Sequence, residues 1–440
     1  MELIPNYSSS RIHIGLEKLV NIEVWIVALS VGVSVAFPSF LPFTLALQAI
    51  FWPLRFLVNG RLSRRTPVDF PVLLFIALIP VTLWATAFPD VTILQVMRLL
   101  SGIGLFYAII NSVNNKRHFS WLVNLLILSG VFLAGYAFIS VRWKVGRLNI
   151  IPMEIYSRLA PLIEDVIHPN VMAGSLLLIL PLGLALLLFG WRKLSWIYWF
   201  GVFLAVSMMT VVLILTKARA AWMAIIIVLL MISYMRWRRI WLIIFAGLIV
   251  SGVIIFSRKM DFVADIINAN QAFGGIEGRF DIWSSAVRMI RDYPFTGIGL
   301  GTFGNIADML YPFYLAAPGS TPHAHNLLLQ ISVDLGIPGL VAWVSIFGLV
   351  YFVSWILYIE GISRGNYYLS GIGSGLLGSQ IAIIIQGLFD SVTWGMVRPA
   401  PLVWFLWGLA FACGWIFIWS GDLSPAQKIS LETDNHRHMV

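Results

Sequence analysis

Charge and cysteine are the two properties in which this sequence is poorest. Only 11% of its 440 residues are charged, whereas 59% are hydrophobic; a soluble domain carries about 25% charged residues. Because so few charges cannot cover the surface of a soluble fold, the composition predicts an integral membrane protein. The only cysteine, Cys413, excludes an intrachain disulfide and a cysteine metal cluster.

A cleavable signal peptide and a nucleic-acid partner are not expected. The first 21 residues are mixed and polar, and the first apolar run is followed by another run instead of a small-residue cleavage site. We therefore expect that first run to be retained as a helix. The net charge of +9 is explained by basic cytoplasmic loops, which are common in membrane proteins.

Long apolar runs fill most of the chain, and a helix needs about 20 apolar residues to cross the hydrocarbon layer. Twelve runs qualify: 22–38, 41–58, 70–88, 91–113, 119–141, 171–190, 194–216, 219–236, 240–256, 338–358, 367–389 and 400–420. The sequence thus predicts an all-α integral membrane protein of about 12 transmembrane helices, with a long, partly helical external loop before the tenth. The predicted regions are a cytoplasmic N-terminus (1–21), helices one to nine (22–256), the large external loop (257–325), helices ten to twelve (326–420) and a cytoplasmic tail (421–440).

The basic residues predict the orientation. With the N-terminus in the cytoplasm, the inner loops hold Arg61, Arg64, Arg65, Lys116, Arg117, Arg192, Lys193, Arg236, Arg238 and Arg239. The short outer connections at 38–40 and 89–90 hold no Lys or Arg. This distribution follows the positive-inside rule, so both long loops, 142–170 and 257–325, are expected outside.

Each external loop is expected to contain a helix. Apolar residues recur at near-helical spacing in 142–170, which predicts an amphipathic helix on the outer membrane surface. In 278–292 the apolar positions are Phe280, Trp283, Val287 and Ile290, which predicts a helix packed on the membrane domain through that face.

The segment with the most specific pattern is His323-Ala324-His325-Asn326, followed nine residues later by Gly336-Ile337-Pro338-Gly339. His325 is expected where the outer loop meets the bilayer. A histidine titrates near neutrality and can take a proton from a substrate hydroxyl. The alternative is that both histidines are interfacial hydrogen-bonding residues.

Two arginines are expected on the same outer face. Arg219 lies at the outer end of a predicted span, and Arg279 lies at the start of the loop helix. An arginine stays charged and can bind two phosphate oxygens at once. The alternatives are a snorkelling flank for Arg219 and a pair with Glu277 for Arg279. If these arginines converge on His325, they suit a diphosphate leaving group and a hydroxyl nucleophile.

Four further positions are candidates for supporting roles. Arg98 and Arg55 lie inside predicted spans, where a charge is costly. Arg98 is either a structural partner or a phosphate ligand, and Arg55 is expected to snorkel to the cytoplasmic end. Asp390 could orient His325 or Arg219, or simply end its span. Asn170, in His168-Pro169-Asn170, is expected to cap the following span.

One motif match is rejected. Gly299-Leu300-Gly301-Thr302-Phe303-Gly304 fits the dinucleotide-binding pattern literally but has no preceding strand and lies outside the cell. Its glycines are expected to form tight turns that lay the loop over the membrane domain.

Several segments together resemble the bacterial O-antigen ligase and polymerase superfamily. They are Glu277-Gly-Arg-Phe-Asp-Ile-Trp283, Tyr293-Pro-Phe-Thr-Gly-Ile-Gly-Leu-Gly-Thr-Phe303, His323-Ala-His-Asn326, Arg219-Ala-Ala-Trp222 and His168-Pro-Asn-Val-Met-Ala-Gly174. The resemblance is strongest over 168–345. Leu340 follows the last glycine of the His-Asn…Gly-x-x-Gly arrangement, where ligases commonly have Gly, Thr or Tyr.

This resemblance implies a multi-pass glycosyltransferase of the bacterial plasma (inner) membrane whose active site faces the periplasm or exterior. The donor would be a glycan on undecaprenyl diphosphate, and the acceptor lipid A core, another glycan or a protein hydroxyl. No cofactor or metal ion would be required. His325 would be the base, Arg219 and Arg279 would hold the diphosphate, and Arg98, His323, Asn326 and Asp390 could support them. The reaction would invert the anomeric carbon.

Two other functions remain open at this stage. A polysaccharide polymerase of the same superfamily would use the same donor chemistry. A transporter, for bicarbonate or another small solute, should carry ionisable residues or broken helices near the bilayer midplane. The midplane of most predicted spans is apolar, which favours an enzyme.

Overall fold

A computed structural model describes residues 11–141, 167–238 except 192, 276–314, 321–394 and 400–419, together with 241 and 247. The predicted surface helix within 142–170, most of the predicted span 240–256 and the predicted tail 421–440 lie outside these residues. The described part is built from helices, so the all-α prediction is confirmed.

Fourteen α-helices are present in the described residues. They are α1 (Arg11–Asn21), α2 (Glu23–Ala36), α3 (Leu41–Asn59), α4 (Asp69–Ala85), α5 (Pro89–Ser112), α6 (Lys116–Ser140), α7 (Pro169–Gly190), α8 (Trp196–Leu215), α9 (Arg219–Arg236), α10 (Ile276–Asp292), α11 (Phe303–Leu310), α12 (Leu327–Ser363), α13 (Tyr367–Gly387) and α14 (Pro401–Phe417).

Fewer helices of the described residues qualify as membrane spans than the twelve that the sequence predicts for the whole chain. Within the described residues eight helices are long and apolar enough to cross a membrane, and α1 and α2, bent by 47°, would make a ninth. The apolar helices α4 and α14 have 17 residues each, about 26 Å of helix, whereas the hydrocarbon layer is about 30 Å thick. The count of twelve is therefore not confirmed, although every predicted span except 240–256 coincides with a helix.

Helices α7 and α13 form the centre of the bundle because small residues let them approach closely. A Cβ added to Gly375 of α13 would lie 2.7 Å from the Leu182 Cα of α7. Ser379 of α13 also donates a 2.8 Å hydrogen bond to the carbonyl of Leu178. Helix α9 packs beside both, because Gly378 of α13 faces Val228 of α9 as well as Pro181 of α7.

Helix α10 forms where the sequence predicts it, but it buries a partly different face. Ile282, Ala286 and Met289 are buried against α11 and the start of α12, whereas Phe280 is 60% exposed. Val287 is exposed as well. The predicted face overlaps the buried one only in part: Ile290 packs against the same cluster, whereas Phe280 and Val287 are exposed. Ala286, which permits close approach, lies at the centre of the contact instead.

A kink in α12 joins the segment that contains α10 and α11 to the bundle. Gly336 has φ +69° and ψ −175°, and Pro338 follows it in the helix. The chain at Pro294 crosses this kink, and its carbonyl accepts a 2.7 Å hydrogen bond from the Ile337 amide. A Cβ at Gly336 would meet that carbonyl oxygen at 2.7 Å, so a glycine is required here.

The glycine turn after Pro294 rests on three helices. The Leu300 amide donates to Thr82 Oγ1 of α4 (3.0 Å), and Thr92 Oγ1 of α5 donates to the Leu300 carbonyl (3.3 Å). The Gly301 amide donates to Asp334 Oδ1 of α12. The turn thus lies over these three helices, and the sequence predicts this position of the glycine turns over the membrane domain.

Candidate functional site

The site begins with the turn that precedes α12. Asn326 caps this helix, because its Oδ1 accepts hydrogen bonds from the amides of Leu328 and Leu329 at 3.1 Å each. Immediately before the cap, His325 has φ +48°, which is uncommon for a residue other than glycine. Such strained backbone often occurs at functional sites.

Asp390, just beyond α13, lies between the two histidines. Its Oδ1 is 3.6 Å from His323 Nε2 and 3.6 Å from His325 Nδ1. The two imidazole rings are in contact with each other, with centroids 4.2 Å apart. The prediction that Asp390 could orient His325 therefore has a geometric basis.

Two neighbours fix the Asp390 carboxylate. The Ser391 amide donates to Oδ1 (2.9 Å), and Asn170 Nδ2 donates to Oδ2 (3.1 Å). The predicted capping role of Asn170 is wrong. The cap of α7 is His168, whose Nδ1 accepts the Asn170 amide. The Asn170 side chain is thereby available for Asp390.

Burial and neighbouring groups determine the protonation of this cluster. Burial, together with neighbouring His325, lowers the pKa of His323 to about 4, so this ring is neutral at neutral pH. Burial alone would raise the pKa of Asp390, but the neighbouring imidazoles of His325 and His323 and the Ser391 amide lower it overall. Asp390 is therefore a carboxylate, and its charge faces His325 without a second cation at His323.

Arg279 connects the external loop to the same segment. Its Nη1 donates a 2.5 Å hydrogen bond to the Phe389 carbonyl, and its guanidinium lies 5.7 Å from the centre of the Phe389 ring. Asn326 Nδ2 donates to the preceding carbonyl, that of Leu388, at 3.3 Å. Arg279 and Asn326 therefore bind adjacent peptide units next to Asp390.

Arg219 lies at the same level of the bundle as this segment. It is exposed at the first residue of α9. Val228 of α9 contacts Gly378 of α13. Arg219 lies nine residues before Val228, and Gly387 lies nine residues after Gly378. Since the helices run in opposite directions and nine residues rise about 14 Å, Arg219 and Gly387 are at matching heights.

The remaining two arginines differ in their surroundings. Arg98 is half-buried in α5, and its Nη1 donates to Gln95 Oε1 at 3.4 Å. The prediction that Arg55 snorkels is wrong. Its side chain is 1% exposed and lies 3.5 Å from Glu23, because a carboxylate on the neighbouring helix compensates its charge within the bundle.

Three polar residues beside the candidate site were not singled out in the sequence: Gln330, Asp334 and Trp394. Asp334 accepts hydrogen bonds from Gln330 Nε2 (2.9 Å) and from Trp394 Nε1 (2.8 Å), besides the Gly301 amide. Gln330 Oε1 in turn accepts the Ala324 amide between the two histidines (2.7 Å). Asp334 thus ties the histidine turn to the segment of Asp390. An acidic residue beside a predicted span was the available signal.

A comparison with known proteins relates part of the chain to one family. No curated protein sequence matches the chain significantly. A family model described as O-antigen ligase matches residues 204–344, a range that contains Arg219, Arg279 and His325. The chain is therefore a multi-pass membrane protein in which residues 204–344 are similar to the O-antigen ligase family.

Proposed function

We propose that this protein transfers a glycan from undecaprenyl diphosphate to an acceptor hydroxyl at the outer face of the plasma membrane. The proposal rests chiefly on one observation, the approach of His325 to the buried carboxylate of Asp390 at 3.6 Å. A carboxylate that faces Nδ1 favours the tautomer with its proton there, and Nε2 then becomes the base.

The separation is longer than a hydrogen bond. Such contacts commonly shorten when the substrate is bound.

His325 would act on the acceptor. As the hydroxyl oxygen bonds to the anomeric carbon, its proton moves to His325 Nε2. The bond between that carbon and the diphosphate oxygen breaks on the opposite face, which inverts the configuration. The resulting imidazolium is stabilised by Asp390, and the neutral His323 adds no opposing charge.

The arginines would hold the leaving group. A guanidinium has five N–H donors, and the bond to the Phe389 carbonyl uses one on Arg279. Its other donors, with those of Arg219 at the same height, would bind the diphosphate oxygens as negative charge develops on them. Undecaprenyl diphosphate is then the second product.

The test is an in vitro transfer assay with the full-length protein in detergent. The donor is an undecaprenyl-diphosphate glycan. The acceptors are lipid A core, a second lipid-linked glycan and a hydroxyl-containing peptide. We expect transfer by the wild type and a loss of about 100-fold or more for His325→Ala, in line with removal of a general base. His118→Ala, which changes an exposed histidine in the first turn of α6, is the matched control.

The product separates the possible functions. Transfer to lipid A core would identify a ligase, and transfer to a lipid-linked glycan a polymerase. Full activity of His325→Ala, or absence of transfer when donor binding is demonstrated, would contradict the proposal. Uptake of bicarbonate by vesicles that contain the protein would instead support the transporter.

A further inference from the structure

We propose that His323, His325 and Asp390 form a binding site for a divalent transition-metal ion of the Zn²⁺ type, and that the bound ion inhibits transfer. Each residue offers one ligand atom, and the three atoms lie within 4.8 Å of one another. The metal site stands on this geometry alone, whereas the inhibition rests on the proposed function.

The separations fit a metal ion placed among the three atoms. Both histidine–carboxylate separations are 3.6 Å. Ligands about 2.05 Å from a tetrahedral zinc ion lie about 3.4 Å apart. Side-chain shifts of a few tenths of an ångström would therefore complete these two edges. The ion would also provide a partner for His325 Nδ1, which is buried and has no hydrogen-bond partner within the described residues.

The donor set predicts the class of ion. Two imidazoles and one carboxylate suit zinc, cobalt, nickel, copper or iron, whereas magnesium and calcium favour sets of oxygen ligands. The Asp390 carboxylate is already oriented: Asn170 Nδ2 donates to its Oδ2, and its Oδ1 faces the histidines. Such outer hydrogen bonds orient ligands and strengthen metal binding.

Metal binding and base catalysis would exclude each other at His325. If the ion occupies Nδ1, the remaining ring proton is on Nε2, and Nε2 can no longer accept the proton of the acceptor hydroxyl. The ion also neutralises the carboxylate that stabilises the imidazolium. A metal-loaded protein would therefore bind its donor but not transfer the glycan.

The experiment uses Co²⁺ as a spectroscopic probe on the chelator-washed, full-length protein. We expect one Co²⁺ per chain with visible ligand-field absorption, and its displacement by Zn²⁺. His323→Ala and Asp390→Asn should each weaken Co²⁺ binding at least tenfold. His118→Ala, which changes an exposed histidine in the first turn of α6, should bind like the wild type.

A rescue variant guards against loss of binding through misfolding. His323→Cys substitutes one good zinc ligand for another, so it should recover Zn²⁺ binding that His323→Ala loses. Equal Co²⁺ binding by the wild type, His323→Ala and Asp390→Asn would overturn the metal site.

Transfer assays then separate the two proposals. Zn²⁺ should stop transfer by the wild type, and a chelator should restore it. Undiminished transfer by protein with a full complement of Zn²⁺ at this site would overturn the inhibition. Metal binding in a protein that shows no transfer even with chelator would leave the metal site supported and contradict the proposed function.

Discussion

Among single residues, Glu23 and Arg55 are notable because both are 1% exposed and form an ion pair within the bundle. The Arg55 guanidinium also lies 4.7 Å from the centre of the Trp52 ring. Such a pair compensates two charges that would be costly alone.

We expect Glu23→Gln to lower the free energy of unfolding by about 3–5 kcal/mol, because it leaves the Arg55 charge buried without compensation. Thermal unfolding in detergent is the measurement. Glu360→Gln is the control, since Glu360 pairs with Arg364 in an exposed i,i+4 arrangement and its loss should cost about 0.5 kcal/mol or less. Equal shifts for both variants would contradict the role assigned to burial.

The proposed role of Arg279 depends on the planar shape of its guanidinium as well as on its charge. Arg279→Lys keeps the charge but removes the planar set of donors that reaches both the Phe389 carbonyl and a phosphate. We expect transfer to fall about tenfold or more, with weaker donor binding. Arg288→Lys on the same helix, where the arginine binds Ser285, should leave transfer unchanged. A normal rate for Arg279→Lys would show that charge alone suffices.

At the scale of elements, the kink of α12 is the feature that couples loop and bundle. We expect Gly336→Ala to lower the unfolding temperature and abolish transfer, because its Cβ would collide with the carbonyl of Pro294 and the backbone has φ +69°. The strain is on the order of 1–3 kcal/mol. Gly348→Ala in the same helix, where a Cβ meets nothing within 4 Å, is the control and should be neutral or stabilising. Equal stability of the two variants would argue against the kink.

Most elements could be predicted because a membrane span is determined by local apolar content. The positions of eleven of the helices follow from apolar runs, because a helix satisfies its backbone hydrogen bonds within its own segment. The face of α10 could not be predicted, since it depends on which surface of the loop receives Ala286.

The residues of the candidate site could be selected from the sequence, but the contacts between them could not. His325, Arg279 and Asp390 were recognised from pattern and resemblance, but their mutual contacts depend on tertiary structure. Glu23 and Asn170 likewise have partners that are distant in sequence, Arg55 and Asp390. No local spacing encodes those pairs.

At the scale of the whole molecule, the orientation in the membrane is open to direct measurement. The only cysteine, Cys413, is buried, so Cys413→Ala gives a cysteine-free background. Leu62 lies in the basic α3–α4 connection and Tyr314 follows α11, and both are exposed. In right-side-out vesicles, an impermeant maleimide should label Tyr314→Cys, and should label Leu62→Cys only after permeabilisation. The reverse order would require the opposite topology.

The bonds that assemble the site also determine when it can exist during synthesis. Arg279 binds Phe389, which is translated 110 residues later, and Asp334 binds Trp394, which is translated 60 residues later. When the histidine turn has been synthesised, Asp390, Phe389 and Trp394, which contact His325, Arg279 and Asp334, have not yet been translated. The candidate site is therefore assembled only after α13 has been inserted.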